Sequence, residues 1–473
     1  MIVASFGKGS GKMSTKPDRH EERYEEKVRE RFQEVQSLLL DEQIEGFRTK
    51  FLDMHPYDQA MFFQEQDKTN RMNIYSYLSP EEIAEVMINI ELEDVTALFI
   101  EMDPRYAAMV FSKMPADDAV DVLNELDKEE VASFLTIMEK EAAEEIKQLL
   151  HYEEKTAGSI MTTEYVAIYQ NETVKETMQL LKKEAPDAET IYYLFVLDDS
   201  KRLVGVLSIR DLIVADEDTR IEEIMSGSVV AVSVAKDQEE VALMFRDYDF
   251  LALPVVDFQY HLLGIITVDD ILDVMEEEAS EDYSRLAAMS DTDKRDDTAL
   301  TSAKRRLPWL VILLFLGLFT ASLIGRFEET LNEVAVLAIF IPLIAGMAGN
   351  TGTQALAVAV RGIATGDYDK EGKMKLILRE AVTGLITGTV CGILITIVIY
   401  LWQGNLYLGL LVGVSILASL LVATLAGSLI PMIMHKFNID PAVASGPFIT
   451  TINDIISILI YFGMATTFMS YLI

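Results

Sequence analysis

Residues 307–327 read LPWLVILLFLGLFTASLIGRF, twenty-one residues with one charge, Arg326, near the end. As a helix rising about 1.5 Å per residue, this stretch is about 31 Å long, enough to cross the hydrocarbon of a bilayer. Four more apolar stretches follow at 334–360, 378–402, 406–434 and 446–473. Five membrane-crossing helices are therefore expected, with the two chain ends on opposite sides. Lys and Arg set the orientation. Lys304, Arg305 and Arg306 precede the first span, Arg361, Lys370, Lys373, Lys375 and Arg379 surround the loop after the second, and Lys436 follows the fourth. Only Arg326 lies on the other side, so the long segment before residue 304 is predicted to be cytosolic and the C-terminus outside.

The charge of the chain changes at the same place. Overall it is −36. From Lys304 onward there are nine acids and ten Lys or Arg, whereas residues 1–303 hold 67 acids and 30 Lys or Arg. An acidity of that size repels nucleic acid and attracts cations. Cys391 is the only cysteine and lies in an apolar run, which excludes a disulfide framework and a cysteine-type zinc site and makes it a packing residue. The tail 1–23 is rich in Gly, Ser and Lys, lacks a hydrophobic stretch long enough for a signal peptide, and is predicted to be disordered, with Met13 as an alternative start.

Two repeats lie upstream of the spans. Within 24–153 an apolar pattern recurs every twelve residues: Leu78, Ile90, Met102, Met114 and Leu126, then Met87, Phe99, Phe111, Leu123 and Leu135. Ala84, Thr96, Ala108, Val120 and Ala132 form a third series. Helix-start signals such as Ser79-Pro80-Glu81-Glu82 and Met114-Pro115-Ala116-Asp117 open the units. Twelve residues make one short helix and a turn, and short helices must stack, so an α-solenoid is predicted. A second repeat of about 60 residues covers 154–277. Ile160-Met161-Thr162 matches Ile224-Met225-Ser226, and Val196-Leu197-Asp198 matches Val255-Val256-Asp257, each leading seven residues on to Gly205 or Gly264. Ser208-Ile209-Arg210-Asp211 matches Thr267-Val268-Asp269-Asp270 at a strand-to-helix junction. The apolar runs around each glycine read as buried strands, and 172–183 and 237–248 as amphipathic helices. This tandem layout resembles a pair of CBS domains. A polar connector, 278–303, starts helically at Glu278 and leads into the region of the five spans, 304–473.

The candidate chemistry sits in two places. Asp454 is the one acid deep in the spans, within Thr450-Thr451-Ile452-Asn453-Asp454, a polar cluster able to line a wet face, and a carboxylate at that depth marks a functional site. The second span carries Gly346, Gly349, Asn350, Thr351, Gly352, Thr353 and Gln354 after Pro342, a run expected to weaken the helix and expose backbone carbonyls beside water or protein. Close helix packing is the other reading of these glycines, and the two are compatible. Carbonyls near Gly346 and Gly349, the Asn350 amide and the Asp454 carboxylate form an oxygen set suited to a hard, hydrated cation such as Mg2+. Acids also cluster at Asp117, Asp118 and Asp121, and along Asp270, Asp273, Glu276, Glu277, Glu278, Glu281 and Asp282.

The string Gly349-Asn350-Thr351-Gly352-x-Gln354, Asp440-Pro441-Ala442, Asp454 and the domain order together resemble the MgtE family of Mg2+ channels and transporters, from about residue 24 to the end. Thr353 stands where other members carry Asn, a departure that bears on fine selectivity. The resemblance implies a homodimer with its pore on the dimer axis, between second and fifth helices, and two Asp454 carboxylates holding hydrated Mg2+. It implies a gate in which cytosolic Mg2+ neutralises Asp117, Asp121, Asp270, Asp273, Glu278, Glu281 and Asp282 and docks the N domain, CBS pair and connecting (plug) helix to close the pore. The CBS resemblance implies an adenosine nucleotide such as ATP as a ligand, with Asp211 and Asp270 at the ribose-contacting position. Rival readings are another divalent cation (Co2+, Ni2+), a CBS-carrying chloride channel, and a membrane enzyme. The spans hold no His or Cys cluster to prefer a softer metal. The enzyme would need metal-binding histidines, and His20, His55, His151, His261 and His435 are scattered, none of them deep in a span.

Overall fold

The computed structural model describes residues 19–289, 298–366, 372–437 and 439–471. The expectations for residues 1–18 and for 290–297 of the connector lie outside them. The chain divides into two compact units, one running to Asp270 without 242–247, the other comprising 242–247 and Ile271 onward.

The first unit opens with ten helices: α1 (Arg19–Leu40), α2 (Ile44–Leu52), α3 (Pro56–Gln64), α4 (Lys68–Tyr77), α5 (Pro80–Met87), α6 (Leu92–Glu101), α7 (Pro104–Phe111), α8 (Ala116–Asn124), α9 (Lys128–Ile137) and α10 (Lys140–Leu149). Helix α1 begins five residues before the boundary expected at 24. From α5 to α10 each helix starts twelve residues after the last, the period of the apolar pattern. The Ser79 hydroxyl accepts from the Glu82 amide at 3.3 Å and the Glu82 carboxylate accepts from the Ser79 amide at 2.7 Å, a reciprocal cap. Pro115 differs from Pro80, since it precedes α8 as its cap. Alternate helices pack, α3 on α5, α5 on α7, α7 on α9, and α6 on α8, α8 on α10. Met87, Phe99, Phe111 and Leu123 are buried between them, with the Phe99 and Phe111 rings stacked at 4.0 Å. The pattern fades at α9, where Leu135 is half-buried and Ala132 exposed.

Two three-stranded sheets follow, β1 (Tyr165–Tyr169), β2 (Thr190–Leu197) and β3 (Leu203–Ser208), then β4 (Val232–Ser233), β5 (Ala252–Val256) and β6 (Leu262–Thr267). In each the first pair is parallel and the second antiparallel. Helices α11 (Val174–Glu184), α12 (Ile209–Val214), α13 (Ile221–Ile224) and α14 (Gln238–Tyr248) are interleaved. The two copies exchange segments. Thr162 of the first pairs with Ile265 of the second, and Ser226 of the second pairs with Val206 of the first. The matched glycines make room for this, because a Cβ on Gly205 would stand 2.5 Å from the Met225 sulfur and one on Gly264 2.6 Å from the Thr162 carbonyl. Helix α15 (Val268–Leu286) leaves the second copy. It begins ten residues before Glu278, at the end of β6, where the Asp270 carboxylate accepts from the Thr267 amide at 3.3 Å and from the Thr267 hydroxyl at 2.5 Å.

The second unit contains α16 (Ala299–Gly325), α17 (Glu328–Glu333), a 3-10 turn at Ala335–Phe340 leading into α18 (Ile341–Ala364), α19 (Lys373–Gln403), α20 (Leu406–Lys436) and α21 (Gly446–Thr467). Among the described residues five helices are long and apolar enough to cross a membrane. Helix α20 is the most enclosed, packed by α18, α19 and α21. It approaches α19 so closely that a Cβ on Gly392 would lie 2.6 Å from the Gly413 carbonyl. Helix α16 has no buried residue. Cys391 packs against the apolar core of this unit.

Candidate pore and cation sites

Helices α18 and α21 meet through small residues. A Cβ on Gly349 would come within 2.7 Å of the Thr450 methyl, and one on Gly352 would collide with the Asn453 amide. Gly349 and Gly352 therefore serve packing. The second span does not unwind, and α18 is continuous from Ile341 to Ala364, because α20 and α21 support it on one side. The Thr351 and Thr353 hydroxyls donate to the Met347 and Asn350 carbonyls of the same helix, at 2.8 and 2.9 Å. Gly346, Asn350 and Gln354, spaced by four, are exposed on another face, and nothing lies within 4 Å of a Cβ on Gly346.

Asp454 is half-buried on α21, and its carboxylate receives no hydrogen bond or ion pair from any described residue. The surrounding polar cluster does not share one wet face, as the sequence suggested. Thr450 and Thr451 donate to the Gly446 and Pro447 carbonyls at 2.9 Å each. Asn453 is 1% exposed, and neither polar atom of its amide has a partner among the described residues. One residue on, about 100° around the helix, Asp454 leaves this contact and reaches the accessible flank.

The first unit assembles an acidic pocket at the start of α8. Burial, then the charges of Asp118 and Asp270, push Asp117 well above the usual carboxylate range, and its Oδ1 is sealed from solvent with no donor among the described residues. Burial, then Asp121, Asp270, Glu189 and Glu164, push Asp118 up to about 7. Burial and then Asp269 and Asp270 raise Glu189. This pocket contains the expected Asp117 and Asp270. Asp121 is exposed at its edge. Asp118, Glu164 and Glu189 were not among the predicted site residues. Asp118 was visible as a neighbour, whereas Glu164 and Glu189 stand just before β1 and β2 with no periodic signal. Among the described residues no three His, Cys, Asp or Glu side chains form a group able to hold a metal ion.

The remaining predicted acids lie on α15. Asp273 is exposed, and Glu278, Glu281 and Asp282 are partly buried. Glu281 pairs with Arg285, which also pairs with Asp440. In the CBS pair, the Ser208 hydroxyl donates to Asp211 at 2.6 Å and accepts from its amide at 3.2 Å, so the Ser-x-x-Asp motif first caps α12. Asp211 is exposed, and a carboxylate with one oxygen so engaged can still accept from a ribose hydroxyl. The Asp270 carboxylate likewise accepts from the Thr267 hydroxyl, and its charge also acts on Asp117 and Asp118.

A helical repeat, a segment-exchanged CBS pair and five helices long and apolar enough to cross a membrane, one of them with a partnerless carboxylate, define a polytopic membrane protein of the transporter class. Residues 341–464 match the family of divalent cation transporters named MgtE, residues 54–155 the MgtE intracellular N domain, and residues 157–218 and 221–277 the CBS domain. The magnesium transporter MgtE of Enterococcus faecalis is 51% identical over 445 residues, 94% of this chain and 98% of that one. That of Bacillus subtilis is 43% identical over 431 residues, 91% and 96% of the two chains. A crystal structure described as the soluble part of a magnesium transporter is 49% identical with a TM-score of 0.51, covering 53% of this chain and 99% of that one. The chain belongs to the MgtE family.

Proposed function

We propose that this protein imports Mg2+ down its electrochemical gradient, as a homodimer in the cell membrane with its pore on the dimer axis. The observation that carries this reading is Asp454, an accessible carboxylate without a partner in a membrane-crossing helix. A lone charge there is costly unless water, a cation or a second copy reaches it. The outward row of Gly346, Asn350 and Gln354 supports the same arrangement, since an amide row facing lipid is unfavourable and one facing an aqueous axis is not. Oxygen ligands alone suit Mg2+ better than Co2+ or Ni2+. Transport rather than catalysis is the function.

The acidic pocket and the acids of α15 make up the gate. Cytosolic Mg2+ neutralises Asp117, Asp121 and Asp270 together with Asp273, Glu278, Glu281 and Asp282, and so closes the pore. The division of labour follows the proposed boundaries: tail 1–23, sensor domain 24–153, CBS pair 154–277, connecting helix 278–303 and pore 304–473. The first four parts are cytosolic, and the C-terminus lies outside. ATP is assigned to the CBS pair through Asp211, with Asp270 given to the cation pocket.

Flux into liposomes tests the pore. Wild type is expected to pass Mg2+ ahead of Ca2+, Co2+ and Ni2+, and Asp454→Ala to lose most of the Mg2+ flux; full flux in the variant overturns the site. Replacing Asp270, Asp273 and Glu278 together by alanine should leave transport active at high internal Mg2+. Inhibition unchanged from wild type would overturn the gate.

A further inference from the structure

Helix α15 ends against the start of α21. Its last residue, Leu286, packs with Leu356 and Val360 of α18 and Ile449 of α21. The Leu286 carbonyl is 3.4 Å from where a Cβ on Gly446 would stand. One residue earlier, Arg285 bridges two carboxylates, Glu281 a turn back on α15 and Asp440 in the segment between α20 and α21. The end of the connecting helix is thus held at the foot of the Asp454 helix by an apolar plug and by a guanidinium between two acids. Glu281 is one of the acids that the proposed gate would have Mg2+ neutralise, and here a fixed side-chain cation already neutralises it. A guanidinium never loses its charge and presents several donors in a plane, so it can serve both carboxylates at once.

We infer that Arg285 is a built-in cation that latches the connecting helix to Asp440, holding the closed arrangement at these two carboxylates without a divalent ion. The inference rests on the gate reading of the preceding section. Arg285 is a positioning residue and touches no transported ion. It lowers the internal Mg2+ needed for closure, because the acids elsewhere on α15 and in the α8 pocket are the ones left for Mg2+ to neutralise. The pair is about a third exposed, 36% for Arg285 and 29% for Asp440, so water screens it and its effect is moderate.

The test is Mg2+ flux through the full-length protein in liposomes over a series of internal Mg2+ concentrations, for wild type, Arg285→Gln, Asp440→Asn, the double variant and Arg285→Lys. Each single neutral substitution is expected to raise the half-closing concentration about threefold to fivefold. The double variant should be no worse than either single one, as coupled residues require. Arg285→Lys should recover part of the shift, and flux at low internal Mg2+ should match wild type in Arg285→Gln, which shows an intact pore. A midpoint in Arg285→Gln equal to wild type, or strictly additive effects in the double variant, overturns the latch while leaving the gate standing. A wild type that does not close at any internal Mg2+ overturns the gate, and the latch with it.

Discussion

At Gly352 any side chain would run into the buried Asn453 amide, while at Gly346, six residues earlier on a different face of the same helix, a Cβ would meet nothing. The two glycines look alike in the sequence and have opposite reasons to be there. Gly352→Ala should overpack the α18–α21 contact and cost about 1–3 kcal/mol, seen as a lower unfolding temperature in detergent. Gly346→Ala should leave that temperature unchanged or slightly raised, since alanine is the better helix former by about 1 kcal/mol, while reducing flux if this face lines the pore. Equal temperature losses in the two variants would contradict the assignment of their faces. Asp454 was recognisable as an isolated acid in apolar sequence. The separation of inward Asn453 from accessible Asp454 was not, because it depends on which neighbour α21 packs against.

The solenoid is the element most legible from sequence, since one twelve-residue period sets both helix starts and buried positions from α5 to α8. Its long-range ties were invisible. Arg48 donates to both oxygens of Glu82 at 2.9 and 2.6 Å, and Arg71 to both oxygens of Glu101 at 2.6 and 2.9 Å, across separations of 34 and 30 residues. At Glu101 burial acts upward, and the hydrogen bonds and charge of Arg71, with the Tyr75 hydroxyl, outweigh it, so the carboxyl lies below its ordinary value of 4.5. A carboxyl depressed on folding adds stability that is present above its unfolded pKa. That stability is lost as pH falls through 4.5 toward the lower folded value. Glu101→Gln should therefore destabilise the helical domain by about 2 kcal/mol at pH 7 and lessen its loss of stability on acidification below pH 4.5. Denaturation followed by circular dichroism across pH 3–7 checks this, and parallel curves for the two proteins would contradict it.

For the molecule as a whole, 67 acids against 30 Lys or Arg are confined to residues 1–303. A pocket such as Asp117–Asp118–Asp270–Glu189 adds local repulsion that monovalent salt screens poorly when oxygens are buried. Millimolar Mg2+ should raise the unfolding temperature of the full-length protein by several degrees more than NaCl of equal ionic strength, as expected for a ligand that binds the folded form. Equal effects of the two salts would reduce the pocket to an ordinary screened surface.

Local chemistry was enough for everything that is periodic or compositional. The 21-residue apolar run, the twelve-residue helix period, the paired glycine-centred strands and the step in charge at Lys304 each follow from what a short segment must bury or solvate, so they can be read without knowing what the segment touches. Folding in three dimensions decided the pairings. It exchanged Met161 and Met225 between the CBS copies, sent Gly349 to packing and Gly346 to the surface, gathered Glu164 and Glu189 around Asp118, and set Arg285 between Glu281 and Asp440. Each of these depends on contacts between residues far apart in the chain, and no spacing along the chain encodes which distant neighbour a side chain will meet.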